Sequence, residues 1–328
     1  MLEMVYFVPR NHNVIITQNM TKVLSFVAQY VTTSHTKRHD YGRKWKHKAK
    51  ALAQGDNHII NRSIPGSKVI AHSLNLERHP EKFTGIYQDS KYIIINKAPG
   101  HCTQDDDKRV GKRTFQKGII TLLREQDDEV RNVHRLDKAV SGGMLLAKDK
   151  TTAQKFSRNL RLGGNKGYKF IRRYVGLIPA GEFPPMGEGL CYEYYGSNNK
   201  GSIFIPDEEK GVCKTEFIKY NNIVHKGYQM IVIQLETGRK RQIRKHLSRA
   251  FNKPLMNDVL FGGTHKRGPV AAIGLHSSYI EARVGLTSKQ FIIPVKYATE
   301  LWEGFIDEDG NFDTEILNIL MNFNEILV

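Results

Sequence analysis

From Phe83 onward the sequence is cut into short apolar runs, each closed by a turn signal, and that pattern restricts the fold more than any other feature. Gly85-Ile86-Tyr87, the polar pair Asp89-Ser90 and Tyr92-Ile93-Ile94-Ile95 read as a β-hairpin. Pro99-Gly100 closes its second strand. Residues 144–147 and 168–178 are further extended stretches, 214–220 and 228–235 alternate as strands, and 271–282 and 290–295 add two more. Helical spacing is confined to residues 114–124, with Thr114 as the expected N-cap, to 150–160, to a basic helix opened by Gly238 and reaching Ala250, and to the C-terminal stretch. That last segment is amphipathic through Ile316, Leu317, Ile319, Leu320, Phe323, Ile326 and Leu327, and must pack on something. Residues 179–211, rich in Gly, Pro, Ser and Asn, read as a loop. Strands dominate without strict βαβ alternation, so the expected fold class is α+β, with a mixed, mostly antiparallel central sheet flanked by helices.

The balance of charge narrows the partner. Fifty Lys plus Arg against 33 Asp plus Glu leave 328 residues with a net charge of +17, an excess that favours a polyanion, nucleic acid before an anionic membrane surface. No run approaches the roughly 18 apolar residues of a membrane span, so no membrane role is expected. Cys102, Cys191 and Cys213 make neither a disulfide framework nor a four-cysteine zinc site, His and Cys are too scattered for a metal centre, and a reducing compartment fits. The charge is uneven. Residues 1–50 hold nine Lys or Arg against Glu3 and Asp40. Within them, residues 41–50 pack five cations around Tyr41 and Trp45, either as a strip that tracks phosphates while the rings stack on bases or as a solvated arm. Poverty in acids is also the mark of an organellar transit segment, although Arg10 is the sole Lys or Arg of the first 20 residues. The expected organisation is a basic N-terminal extension over residues 1–80, serving as import signal and RNA-binding arm, followed by a catalytic domain over 81–328.

Walker, dinucleotide-binding, zincin and nucleophile-elbow motifs are all missing from the sequence. What stands out is Asn132-Val133-His134-Arg135-Leu136-Asp137-Lys138-Ala139-Val140-Ser141-Gly142-Gly143, in which cations flank an acid just before a Ser-Gly-Gly turn and an apolar strand. Such a loop presents an ionised carboxylate suited to nucleophilic attack or to stabilising a cationic sugar, or else Asp137 pairs with Arg135 or Lys138 on the surface for little energy. The second segment is Glu236-Thr237-Gly238-Arg239-Lys240-Arg241-Gln242-Ile243-Arg244-Lys245-His246-Leu247. A helix starting there can aim amides and cations at phosphate, and Ile243, Leu247 and Ala250 form its buried stripe. Arg244 borders that stripe, so a partly buried head would need a carboxylate partner. The alternative is a merely basic surface helix.

These two segments resemble the signature stretches of the RluA-type pseudouridine synthases, an H-R-L-D-x-x-x-S-G box and a T-G-R-x-x-Q-I-R-x-H-L box, standing in order at His134–Gly142 and Thr237–Leu247. Asn96-Lys97-Ala98-Pro99-Gly100 is similar to the family's N-K-P-x-G, Arg172-Arg173-Tyr174-Val175 to its K-x-Y strand, and Leu275-His276 to its L-H element, so the likeness covers roughly residues 85–300. It implies the pseudouridine synthase fold and the isomerisation of uridine in RNA to pseudouridine, with no cofactor and no metal. It implies Asp137 as the catalytic aspartate, Arg244 as its ion-pair partner and Tyr174 as the residue stacking on the base. Arg135 would help extrude the uridine, and Arg239, Lys240, Arg241 and Lys245 would contact RNA. His246 and His276 are expected to be structural. Pro254-Leu255-Met256-Asn257-Asp258-Val259-Leu260-Phe261-Gly262 departs from the family's P-I-x-G-D-P-L-Y-G, and Asn257 is expected to turn at positive φ where Gly usually does. Ile171–Tyr174, the 163–167 loop and the basic lead resemble fungal mitochondrial members acting on 21S rRNA. Mitochondrial large-subunit rRNA is therefore the expected substrate and the mitochondrion the expected compartment, for a monomer. A tRNA uridine, a cytoplasmic location, and an inactive RNA-binding or assembly protein are the alternatives.

Overall fold

A computed structural model describes residues 73–105, 116–162, 167–183, 191–195, 199–207, 211–235, 237–265, 268 and 271–326. The basic arm at 41–50, almost all of the expected extension, Thr114 and most of the 163–167 loop lie outside the described residues. The first hairpin pairs β1 (Phe83–Gln88) with β2 (Tyr92–Lys97). It turns at Asp89, whose Oδ1 accepts the amides of Lys91 at 2.7 Å and Tyr92 at 3.0 Å. Next come α1 (Ile119–Arg124), β3 (Arg131–Asn132), β4 (Ser141–Ala147), α2 (Lys150–Leu162) and β5 (Tyr168–Pro179). After them the chain forms β6 (Cys191–Tyr195), β7 (Lys200–Asp207), β8 (Gly211–His225), β9 (Tyr228–Leu235), α3 (Gln242–Phe251), β10 (Leu275–Val284), β11 (Thr287–Ile292) and α4 (Thr314–Asn322).

Among the described residues eleven strands join one sheet in the order β1-β2-β4-β10-β5-β9-β8-β7-β6, with β3 on β4 and β11 on β10. The pairings among described residues are antiparallel except β4 with β10, which run parallel at Ser141–His276 and Gly142–Ser277. The expected α+β sheet is therefore found, mixed and mostly antiparallel. Side chains alternate across it. Ile93, Ile95, Met144, Ile231 and Ile233 face a core that also buries Leu123 of α1 and Ile243 and Leu247 of α3. Val175, Leu177, Met230 and Val232 face the other way, onto Trp302, Phe305 and the α4 residues Ile316 and Leu320. A third cluster sets Ile94 and Leu145 against Phe156 of α2.

Several boundaries differ from the sequence reading. The 179–211 segment is not one loop, because β6 and β7 form there and extend the sheet beyond β8. The first helix is shorter than 114–124: it starts at Ile119 behind the N-cap Gly118, whose amide donates to Asp105 Oδ1 at 2.7 Å. α3 opens at Gln242 rather than at Gly238, and the C-terminal helix is capped by Asp313, which accepts the Ile316 amide at 2.8 Å. Among the described residues no helix is long and apolar enough to cross a membrane.

Candidate active site

Asp137 lies in the turn that carries the chain from β3 into β4, and four buried side chains hold that turn. Leu136 points into the core while Thr103 Oγ1 donates to its carbonyl at 2.9 Å and accepts its amide at 3.2 Å. His134 Nε2 accepts the Leu145 amide of β4 at 3.0 Å, so its proton sits on Nδ1, and its ring lies 4.8 Å from that of Phe170. Burial, reinforced by the Arg172 guanidinium, pushes the His134 pKa well below the usual imidazole value and keeps it neutral. With residues 134 and 136 turned inward, Arg135 is exposed. Lys97, fully buried, donates to the carbonyls of Ala98 at 2.7 Å, His101 at 3.0 Å and Lys138 at 3.4 Å, the last belonging to the residue that follows Asp137. Burial lowers its pKa to about 7, with Cys102 and Asp137 pulling the other way.

Beyond Asp137 the Ser-Gly-Gly turn fixes the sheet register. Gly142 has φ +105°, and a Cβ there would meet the Ser277 backbone at 2.5 Å, so only glycine lets β4 run beside β10. Ser141 Oγ bonds His276 Nδ1 at 2.8 Å and His276 Nε2 reaches the Ile293 carbonyl at 3.0 Å. Burial takes the pKa of His276 down to about 4, and that of His246 likewise, helped there by Arg249 and Lys245. Both imidazoles sit inside the fold, as expected.

The second segment meets the first at Arg244. Gln242 is buried and gathers the preceding turn: Oε1 accepts from the Arg239 amide at 2.9 Å and Thr237 Oγ1 at 2.8 Å, while Nε2 donates to Lys214 O and Thr215 Oγ1, both at 2.9 Å. Arg241, at φ 58°, is the left-handed residue that starts α3. One turn into the helix, Arg244 Nη1 donates to Asp137 Oδ2 at 3.2 Å. Its other edge forks onto Asp258, Nε to Oδ2 and Nη2 to Oδ1, both at 2.7 Å. The side chains of Arg244, Asp258 and Asp137 are 9%, 1% and 20% exposed. Burial works against the guanidinium charge, but the bonds to Asp258 and then Asp137 outweigh it and raise the Arg244 pKa. Asn257, at φ 62°, takes the left-handed turn expected of it and delivers Asp258.

Tyr174 projects from β5 into the same space. Its buried phenol is pushed up by burial and by Asp137, with Arg172 opposing. Asp137 and Tyr174 line two adjoining cavities. A small recess of about 60 Å3 is walled by Leu136, Val140, Leu235, Ile243 and Leu275; a wider chamber of about 440 Å3 is walled by His134, Arg172 and Lys240 among others. Arg135, Arg239 and Arg241 line both, Lys240 only the wider one, and Lys245 neither. The structure thus brings together every expected site residue except Lys245. Among the described residues no group of three His, Cys, Asp or Glu could hold a metal ion.

Residues 91–249 match the family of RNA pseudouridylate synthases. The 21S rRNA pseudouridine(2819) synthase of Eremothecium gossypii is 34% identical over 251 residues, spanning 73% of this chain and 88% of that protein. Its Saccharomyces cerevisiae counterpart is 35% identical over 253 residues, spanning 72% and 94%. The chain belongs to the RNA pseudouridylate synthase family. A human structure, RNA Pseudouridylate Synthase Domain Containing 1, aligns over 78% of this chain and 96% of its own at a TM-score of 0.48 and 16% identity.

Three buried residues of this pseudouridylate synthase were not assigned from the sequence: Asp258, Lys97 and Arg172. Asp258 carried a signal, since a buried Arg244 demands a carboxylate and Asp258 is the acid of the 254–262 stretch. Lys97 and Arg172 stand in the segments similar to the family's N-K-P-x-G and K-x-Y, but their burial left no mark, because a strand cation has the same spelling whether its head reaches water or the core.

Proposed function

We propose that this synthase isomerises one uridine of mitochondrial 21S large-subunit rRNA, with residues 1–80 as import signal and RNA-binding arm ahead of the catalytic domain 81–328. The names of the two fungal relatives support the substrate. The observation that carries the chemistry is the Asp137 carboxylate, held by Arg244 on the wall shared by two cavities and facing Tyr174. The reaction breaks N1–C1′ and makes C5–C1′ within one nucleotide, so atoms balance without a co-reactant. A uracil stacked in a helix is out of reach, so the nucleotide must flip out. The recess, where Leu136, Val140 and Ile243 meet Asp137, Gln242 and Arg244, takes the base against Tyr174, and exposed Arg135 fills the space it leaves. Asp137 acts on the flipped nucleotide, kept ionised and aimed by the charge-assisted bond to Arg244. Arg239, Lys240 and Arg241 hold the backbone at the rim, where an isomerisation with no diffusing partner needs only a fixed substrate.

Carbodiimide mapping of pseudouridines in cells with wild type or Asp137→Asn tests the reading. Loss of one site in mitochondrial large-subunit rRNA is expected, with RNA affinity of the variant within about tenfold of wild type, since no phosphate contact is removed. A lost tRNA site would move the substrate. An unchanged map would replace the enzyme with an RNA-binding scaffold.

A further inference from the structure

Two neighbouring arginines on β5 have opposite fates. Arg173 faces the α4 side: Nε donates to Gln234 Oε1 at 2.7 Å, Nη1 to the carbonyls of Leu320 and Met321, and its guanidinium lies 4.7 Å from the Tyr279 ring centre. Arg172 faces the wide chamber. It is 6% exposed, its guanidinium bonds the Tyr174 phenol and, through Nη2 at 3.4 Å, Thr237 O, while Nη1 meets no hydrogen-bond partner among the described residues. His134 lines the same chamber and presents a second buried donor in the same state, Nδ1. Both pack against Phe170, the ring of His134 at 4.8 Å and the guanidinium of Arg172 at 5.9 Å. Gly238 leaves the guanidinium its room, since a Cβ there would come within 2.7 Å of Nη2. The carboxylate that shares the chamber, Asp137, is already held by Arg244.

Buried donors without acceptors are costly, and here one of them carries full charge. Two such donors beside one ring, in a cavity that opens next to the recess for the base, ask for an anionic oxygen. We infer that Arg172 Nη1 and His134 Nδ1 form a subsite for one backbone phosphate adjoining the flipped uridine. This subsite rests on the RNA-modifying reading above. It deepens that reading by fixing the nucleotide from its backbone side while the recess takes the base. The rim cations contact RNA of any sequence, whereas a phosphate that reaches a buried fork does so only once the strand has bent into the chamber. The subsite therefore contributes to the reactive complex more than to encounter.

A double cycle tests it, using RNA that the wild-type enzyme modifies, synthesised with a single methylphosphonate 5′ or 3′ of the target uridine. For one of the two positions, loss of the charge should lower wild-type kcat/KM at least tenfold. Arg172→Met should lose a similar factor on unmodified RNA and little more on the methylphosphonate RNA. Arg172→Lys, which keeps the charge without the fork, should fall between. Because Nη1 is unmet in the free protein, Arg172→Met should melt no lower than wild type, an outcome that a purely structural arginine would not give. Multiplicative losses at both positions, or wild-type turnover by Arg172→Met, overturn the subsite. If the RNA modified proves to be transfer rather than ribosomal, the substrate reading moves while the cycle still reports on Arg172.

Discussion

Arg244 serves two carboxylates with one guanidinium, and the two are not equivalent. Asp258 takes the forked edge in a site closed to water, whereas Asp137 takes a single nitrogen at 3.2 Å and stays partly exposed. Breaking the inner pair leaves a buried charge unmet, so Asp258→Asn should cost about 3–5 kcal/mol and lower turnover along with the melting temperature. Asp137→Asn should lose turnover with little change in melting. Thermal melts of the two variants in parallel check this, and equal melting temperatures would refute the division of labour. At this scale the sequence revealed a need more readily than the residue that meets it. Arg244 beside an apolar stripe announced a carboxylate, and Asp137 was assigned to it because both lie in recognisable boxes. The stronger partner, 14 residues away, is the acid of the P-I-x-G-D-P-L-Y-G pattern in a stretch that departs from it elsewhere, and nothing in its spacing tied it to Arg244.

Elements were legible where period and turn chemistry agreed. The β1–β2 hairpin, with Asp89 at its turn, and β9, with Ile231 and Ile233 on one face and Met230 and Val232 on the other, follow directly from alternation. β6 and β7 did not, because Gly, Pro, Ser and Asn around short runs such as Ile203-Phe204-Ile205 spell a loop until a neighbouring strand supplies the ladder. The start of α3 was misplaced for a related reason. Gly238 serves the Arg172 guanidinium, and the residue that bends the chain into the helix is Arg241. Asn257 shows turn chemistry read correctly, and it yields a reversed ranking. Both Asn257→Gly and Asn257→Ala remove the side chain, but only glycine accepts φ 62° freely, so the alanine variant should be less stable by about 1 kcal/mol. Urea denaturation measures the difference; equal midpoints would mean that the turn does not constrain this residue.

Across the whole molecule, burial keeps His134, His246 and His276 neutral, with the last two held at about 4. Between pH 4 and the ordinary imidazole value the unfolded chain binds protons that the folded one refuses, so stability rises with pH through that window and falls on acidification. Each such histidine contributes about 1.4 kcal/mol per pH unit. Melting temperature should therefore drop steadily from pH 6.5 to 4.5. His276→Asn, whatever its baseline, should shallow that slope, and an unchanged slope would refute the role. The distances along the chain have a consequence in time. Asp137 waits 107 residues for Arg244, a further 14 separate Arg244 from Asp258, and Ser141 is pinned by a histidine 135 residues later. A ribosome adding roughly 5–20 residues per second makes the first strands many seconds before the groups that aim the carboxylate. The nascent polypeptide, already basic enough to cling to RNA, is thus harmless to it, and the power to rewrite a nucleotide arrives only once the segment carrying Arg244 and Asp258 has been made.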